Sequence, residues 1–167
     1  IEKLKNIYYE AIKPDYIVGL SIGTRPDCLG EDVIELLKEI NKIKPVSVEL
    51  GLQTTNEKAA KYIRRGYKTP VYFDAVKRLN DAGIDVVTHI IIGLPFETTE
   101  DAVKTTLDAV TAGTNGVKFH LLHILKNTDL EREYNEGKIE CLTLEQYAEI
   151  LKQCIAVLPP DIVVHRI

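Results

Sequence analysis

The chain has 167 residues, 45% hydrophobic and 28% charged, which suits one globular domain, residues 1–167, with a core of its own. Its formal net charge of -4 argues against a general nucleic-acid coat. The longest apolar run is interrupted by a histidine and too short to span a bilayer, and Cys28, Cys141 and Cys154 are odd in number and far apart, which excludes a disulfide scaffold. With no signal-peptide pattern at its start, the chain is expected to be cytoplasmic.

Residues 1–12 place Ile1, Leu4, Ile7, Tyr8 and Ala11 at helical spacing, and Pro14 ends the run. A first strand is predicted over 17–24, followed by the turn Arg25-Pro26-Asp27-Cys28. The next helix buries Val33, Leu36, Leu37, Ile40 and Ile43, and Pro45 resets the chain for a second strand over 46–53. Thr55 or Asn56 caps a short helix over 57–65 that Gly66 stops. Thr69-Pro70 opens a helix ending at Gly83, and a third strand over 86–94 follows. Thr98 or Thr99 caps a helix running to about Gly113, and a fourth strand is predicted over 117–125. A small helix over 129–136 ends at Gly137. Thr143, with Gln146 at the capping-box position, opens a helix over 144–158, and Pro159-Pro160 precedes a fifth strand over 162–166.

Alternating strands and helices predict an α/β fold with a parallel sheet, either a barrel or an open doubly wound sheet, apolar on both faces. The strands break that rule on one side. Alternate positions carry Ser21 and Arg25, Glu49 and Gln53, His89, Lys118 and His120, and His165. Burying such groups costs several kcal/mol each unless they are paired. A row of them predicts a lumen or cleft built for something polar. In folds of this type the site lies at the C-terminal ends of the strands, here 23–28, 51–54, 93–95 and 123–126.

Each candidate also has a plainer reading. Glu49 and Gln53 share a strand face, as lumen residues or as part of a structural pair. Arg25 and Asp27 make a ligand-facing loop or an internal ion pair. Arg65, near a helix C-terminus, complements the dipole or reaches a ligand. His89 and His120 with Glu49 and His165 have the chemistry of a metal set, which gives an alternative function, a metal-dependent barrel aldolase or hydrolase using Glu49, His89 and His120. No short-spaced ligand motif supports that set, so no metal site is assigned.

The segments Gly19-Leu20-Ser21-Ile22-Gly23-Thr24-Arg25-Pro26-Asp27-Cys28-Leu29, Val48-Glu49-Leu50-Gly51-Leu52-Gln53-Thr54, Ile63-Arg64-Arg65-Gly66-Tyr67, His89-Ile90-Ile91-Ile92-Gly93-Leu94-Pro95 and 118–126 resemble, in this order, the third to sixth strand motifs of radical S-adenosylmethionine proteins of the YhcC-like group, relatives of the elongator catalytic subunit. The resemblance implies the later part of a parallel-stranded partial TIM barrel. It implies a longer parent enzyme in which S-adenosylmethionine and one [4Fe-4S] cluster generate a 5′-deoxyadenosyl radical. It places Glu49, Gln53, Arg65, Ile91 and Gly93 at the cofactor, and Arg25, Asp27, His89, Lys118 and His120 on the wall facing cofactor or substrate. Tyr67 stands where the family usually has His, and Phe96 where it usually has Gly. The three closely spaced cluster cysteines of the family are missing here, and Met is absent throughout, so the chain is expected to be an excised, inactive segment that self-associates through its open strand edge. The substrate is unread; RNA enters only by analogy with relatives that modify transfer RNA.

Overall fold

The computed structural model describes residues 1–167. Five parallel strands form one sheet in sequence order: β1 (Leu20–Thr24), β2 (Val46–Gln53), β3 (Asp85–Ile92), β4 (Gly116–Leu121) and β5 (Val163–Arg166). Helices α1 (Glu2–Ile12), α2 (Glu31–Asn41), α3 (Glu57–Tyr62), α4 (Thr69–Asp81), α5 (Thr99–Ala112), α6 (Asp129–Asn135) and α7 (Leu144–Ala156) fill the connections, and a short 3₁₀ turn (Pro26–Cys28) follows β1. Sequential order without reversal is the arrangement of part of a barrel rather than of a doubly wound sheet, whose strand order turns back at a switch point. No helix is long and apolar enough to cross a membrane.

The local signals explain most of the element ends. Asn56 caps α3, accepting from the Lys58 and Ala59 amides. Thr98 and Asp101 close a capping box on α5, and Thr143 and Gln146 close another on α7. Several boundaries differ from the sequence reading: β3 ends at Ile92 and not at Leu94, α7 ends at Ala156 and not at Leu158, and three further shifts bear on the site. β4 ends at Leu121, so His123 and Lys126 lie in a loop and not on a strand. β1 begins only at Leu20, where it first finds hydrogen-bond partners on β2. Helix α3 stops at Tyr62, ahead of Gly66 with its φ of 88°, because Arg64 already takes the left-handed conformation, with φ of 55°, and the Arg65 amide reaches back to the Ala60 carbonyl at 3.0 Å.

Only one face of the sheet is sealed. Ile22, Val48, Leu50, Leu52, Val86, Ile90, Ile92, Val117 and Phe119 turn to the helices and meet Ile34, Leu37, Ile40, Tyr72, Val76, Leu79 and Cys154 in one core. Along β2 burial alternates strictly, with Val48, Leu50 and Leu52 fully buried and Glu49, Gly51 and Gln53 half-buried between them. The expected two-sided burial therefore holds only on the helix side, and the other face is the wall of an open lumen.

The core contains one polar chain. The Tyr72 hydroxyl meets Thr88 Oγ1, Thr88 Oγ1 lies 2.8 Å from Thr114 Oγ1, and Thr114 donates to main-chain carbonyls at Val86 and Gly116. Burial pushes the Tyr72 phenol far up, so it stays a neutral hydroxyl. We predict that Thr88→Val, which keeps the shape but strands the Tyr72 hydroxyl, destabilises the fold by about 1–3 kcal/mol. Adding Tyr72→Phe to that variant should recover most of the loss, since both partners are then apolar. Urea unfolding of the two variants reads the difference; a double variant weaker than Thr88→Val alone would contradict it.

Candidate cofactor site and lumen face

Glu49 is the hub of the lumen face. Lys118 Nζ donates to both its oxygens at 2.7 Å, His89 Nε2 lies 2.8 Å from Oε2, and Ser21 Oγ donates to Oε1 at 3.0 Å. These contacts join β1, β2, β3 and β4. The Lys118 ammonium, followed by the His89 and Ser21 hydrogen bonds, lowers the Glu49 pKa to about 2, so the carboxylate is ionised and acts only as an acceptor. Its partner His89 must then present an Nε2–H. The other ring nitrogen, Nδ1, sits 3.1 Å from His120 Nε2, and the two imidazoles stack with centroids 4.9 Å apart. Both nitrogens of His89 are engaged, which leaves no lone pair for a metal, and no group of three or more His, Cys, Asp or Glu side chains is arranged to hold one. That geometry gives no support to the aldolase or hydrolase alternative built on Glu49, His89 and His120. His165 lies against Gly116, at the foot of the same face, where a Cβ on the glycine would come within 2.6 Å of its ring.

Beside this network a cavity of about 620 Å³ opens at the C-terminal ends of the strands. Arg25, Gln53, Tyr67, Ile91, Leu94 and Leu122 are among its lining residues, and α6 contributes Asp129 and Glu133. Its size and mixed lining suit a cofactor-sized ligand. Gln53 is held at the rim by its own backbone: φ is 60°, the sheet register slips between Gly51 and Gln53, and its amide lies 3.1 Å from the Tyr67 hydroxyl. A Cβ on Gly51 would fall 2.3 Å from the Gln53 amide nitrogen, so a larger residue there would push the Gln53 side chain off this position. Tyr67 donates its hydroxyl to the Gly51 carbonyl, and both the Arg25 and Arg65 guanidinium groups face its ring.

Other sequence candidates have different surroundings. Arg25 and Asp27 form a two-pronged ion pair, at 2.9 and 2.7 Å, and Asp27 is outside the cavity lining. Arg65 is only 7% exposed and engages all five donors within the chain, on the Leu52, Thr54 and Tyr67 carbonyls, Thr69 and Glu57. It fastens the end of β2 to α3 and α4 with every donor engaged inside the chain, and it also borders the cavity beside Arg25, Gln53 and Tyr67. Ile91 and Gly93, expected side by side, line different spaces. Gly93, at φ of 90°, backs onto Leu142, whose Cδ1 would lie 2.9 Å from a Cβ there. It lines a second hollow of about 840 Å³ under α7 that adjoins the first at Leu94. Cys28 and Cys141 are exposed and Cys154 is buried in the core, so this chain's cysteines do not fit a cluster site.

The site also holds two residues that the sequence reading did not place in it. Phe96 takes φ of 69°, a conformation costly for any residue but glycine, and packs edge-on to Tyr62 with Lys58 over its ring. The family's usual glycine at this point was the available signal. Glu97 follows it, with both carboxylate oxygens sealed from solvent and without a hydrogen-bond partner. Burial raises its pKa to about 7; the Thr54 hydroxyl opposes the shift and the Asp101 charge adds to it.

Against known proteins, the first part of the chain, residues 1–109, matches the Radical SAM superfamily, and residues 114–167 match the Radical SAM C-terminal domain. The chain belongs to the radical SAM superfamily. It is 38% identical over its whole length to the protein YtqA of Bacillus subtilis, covering 52% of that protein, and 34% identical to the protein YhcC of Escherichia coli, covering 54%. It thus spans about half the length of the curated relatives it matches. It is also 28% identical, over 90% of its length, to a tRNA uridine(34) acetyltransferase of Methanocaldococcus jannaschii, covering 28% of that protein. Among solved structures, the Elp3 protein of Methanocaldococcus infernus superposes with a TM-score of 0.80 at 25% identity, over 90% of this chain and 35% of that one. Coproporphyrinogen III oxidase of Escherichia coli, a radical SAM enzyme, superposes with a TM-score of 0.72 at 19% identity, over 93% of this chain and 35% of that one. The five-stranded parallel sheet is therefore part of a radical SAM barrel.

Two tests follow from the site's buried charges. Folding raises the Glu97 pKa from the usual 4.5 to about 7, so the folded chain binds that proton more tightly than the unfolded one. Stability should fall as the pH rises through this window, by on the order of 2–3 kcal/mol. Glu97→Gln should remove the decline and leave the variant the more stable form at pH 8; parallel unfolding at pH 5 and pH 8 measures it, and an unchanged pH dependence would contradict it. Arg65→Lys, which keeps the charge but cannot serve five acceptors, should destabilise by about 3 kcal/mol or more in the same assay. A loss below about 0.5 kcal/mol would show that the clamp is dispensable.

Proposed function

We propose that this chain supplies the S-adenosylmethionine-binding wall of a radical SAM enzyme's barrel, acting together with a cluster held by other residues of the full protein. The observation that carries the reading is the polar lumen face centred on Glu49, with the ligand-sized cavity opening beside it at the C-terminal strand ends. A polar network left open on a parallel sheet is costly for stability alone and is expected where a ligand sits. When bound, the cofactor supplies hydrogen-abstracting radical chemistry.

The chain's own residues would hold and orient it. Ile91, Leu94 and Leu122 give the cavity an apolar wall for a flat ring, and Gln53 places an amide at its rim. Arg25, fixed by Asp27 and the Tyr67 ring, brings a positive charge to the same wall and suits a carboxylate. Glu49, His89, Lys118 and His120 form the adjoining wall, which we assign to the substrate side. For the substrate we infer a nucleoside within transfer RNA, by analogy with a relative, aligned over 90% of the chain, that is named for acting on tRNA uridine.

In the full-length protein, reconstituted under anaerobic conditions, Gln53→Leu and Ile91→Asp should each weaken S-adenosylmethionine binding about tenfold, roughly 1.4 kcal/mol, by calorimetry. Asp27→Asn should weaken it less, through the orientation of Arg25. Unchanged affinity in both cavity variants would overturn the assignment. Reductive cleavage of the cofactor that a transfer RNA substrate does not stimulate would count against the nucleoside reading alone.

A further inference from the structure

The stacked histidines raise a question that cofactor binding leaves open. Glu49, His89 and His120 form one continuous line of hydrogen bonds, at 2.8 and 3.1 Å, that crosses three strands. At one end Lys118 holds Glu49 as a carboxylate. At the other end, Nδ1 of His120 makes no hydrogen bond within the chain, yet it is not among the atoms sealed from solvent without a partner. His120 stands opposite Ile91 in the β3–β4 register, and Ile91 lines the cavity. The line therefore runs from mid-sheet to a residue whose strand neighbour lines the cavity.

We propose that Glu49, His89 and His120 are a proton relay in which His120 takes a proton from an O–H or N–H group of the substrate and the resulting charge comes to rest on His89. The proposal rests on the reading of this lumen as the substrate side. Before transfer both imidazoles are neutral: His89 donates through Nε2–H to Glu49, and His120 donates through Nε2–H to His89 Nδ1. The substrate proton adds to His120 Nδ1, and the His120 Nε2 proton passes to His89 Nδ1. His120 ends as the neutral Nδ1–H tautomer and His89 as an imidazolium against the Glu49 carboxylate. One proton has moved from substrate to protein, and no electrons have changed hands.

The direction follows from what surrounds each ring. His120 is partly desolvated and faces His89 on β3, Arg166 on β5, Lys118 on its own strand and His123 in the following loop, and these lower its affinity for a charge-bearing proton. His89 has the carboxylate of Glu49 at its far nitrogen. His120 thus stands where a positive charge is disfavoured, and His89 stands against a carboxylate. The cations Lys118 and Arg166 also disfavour a cationic amine at this spot, so the substrate group is neutral or anionic.

The chain contains four histidines, so imidazole nitrogens labelled with 15N can be followed individually. At pH 8 without cofactor, His89 and His120 should both be Nε2–H tautomers. On acidification the first proton taken up by the pair should appear on His89, while His120 switches to Nδ1–H and stays neutral. Glu49→Gln, which takes the carboxylate away from His89 Nε2, should take that first proton off His89. Imidazolium forming first on His120, or uptake unaffected by Glu49→Gln, would overturn the relay. The wild-type titration needs no substitution, so a variant that fails to fold does not remove the test. Because the spectra are recorded without cofactor, failure of S-adenosylmethionine binding and failure of the relay are separate results.

Discussion

The carboxylate of Glu49 ties together four of the five strands. It sits on β2, accepts from Ser21 on β1, meets His89 on β3 and is neutralised by Lys118 on β4. A charge in a half-buried setting is tolerable only with such company. At 20% exposure it is screened too little by water to stand alone. Once Glu49 is fixed as an ion, the tautomer of His89 is dictated, and through it the tautomer of His120. The other side of the same strands is a dry hydrocarbon core, so the sheet holds an apolar face and an ionic face about one strand thickness apart.

The two-residue period of a strand made most of this legible before any coordinates. Alternation alone put Glu49 with Gln53, and Lys118 with His120, on one face, and the structure keeps them there on the half-buried positions. Caps at Asn56, Thr98 and Thr143 were equally readable, because they depend on one side chain and the next three residues. What the sequence did not disclose depends on backbone conformations several residues away. The left-handed turn at Arg64 swings Arg65 inward, where five main-chain and side-chain acceptors engage its guanidinium. The positive φ at Gly93 turns the chain away after β3, which separates Gly93 from Ile91 although alternation pairs them.

Strain and desolvation concentrate just beyond β3. Phe96 adopts a glycine-like backbone, and Glu97 carries a carboxyl without a partner beside a hollow under α7. Residues in unfavourable conformations persist where the surrounding structure over-determines them, and they gather at functional sites. Here the rigid end of β3 faces the cavity through Ile91 and Leu94, so the cost is borne in the segment that shapes its wall.

The central claim is that the ionic face exists to meet a ligand rather than to be packed over. A crystal structure of the full-length protein with S-adenosylmethionine tests it most directly. The account predicts the cofactor against Ile91 and Gln53, with the Glu49–His89–His120 line intact and facing open space or substrate beside it. A cofactor bound away from these residues, or a lumen face covered by other side chains of the protein with no room for a ligand, would contradict the account.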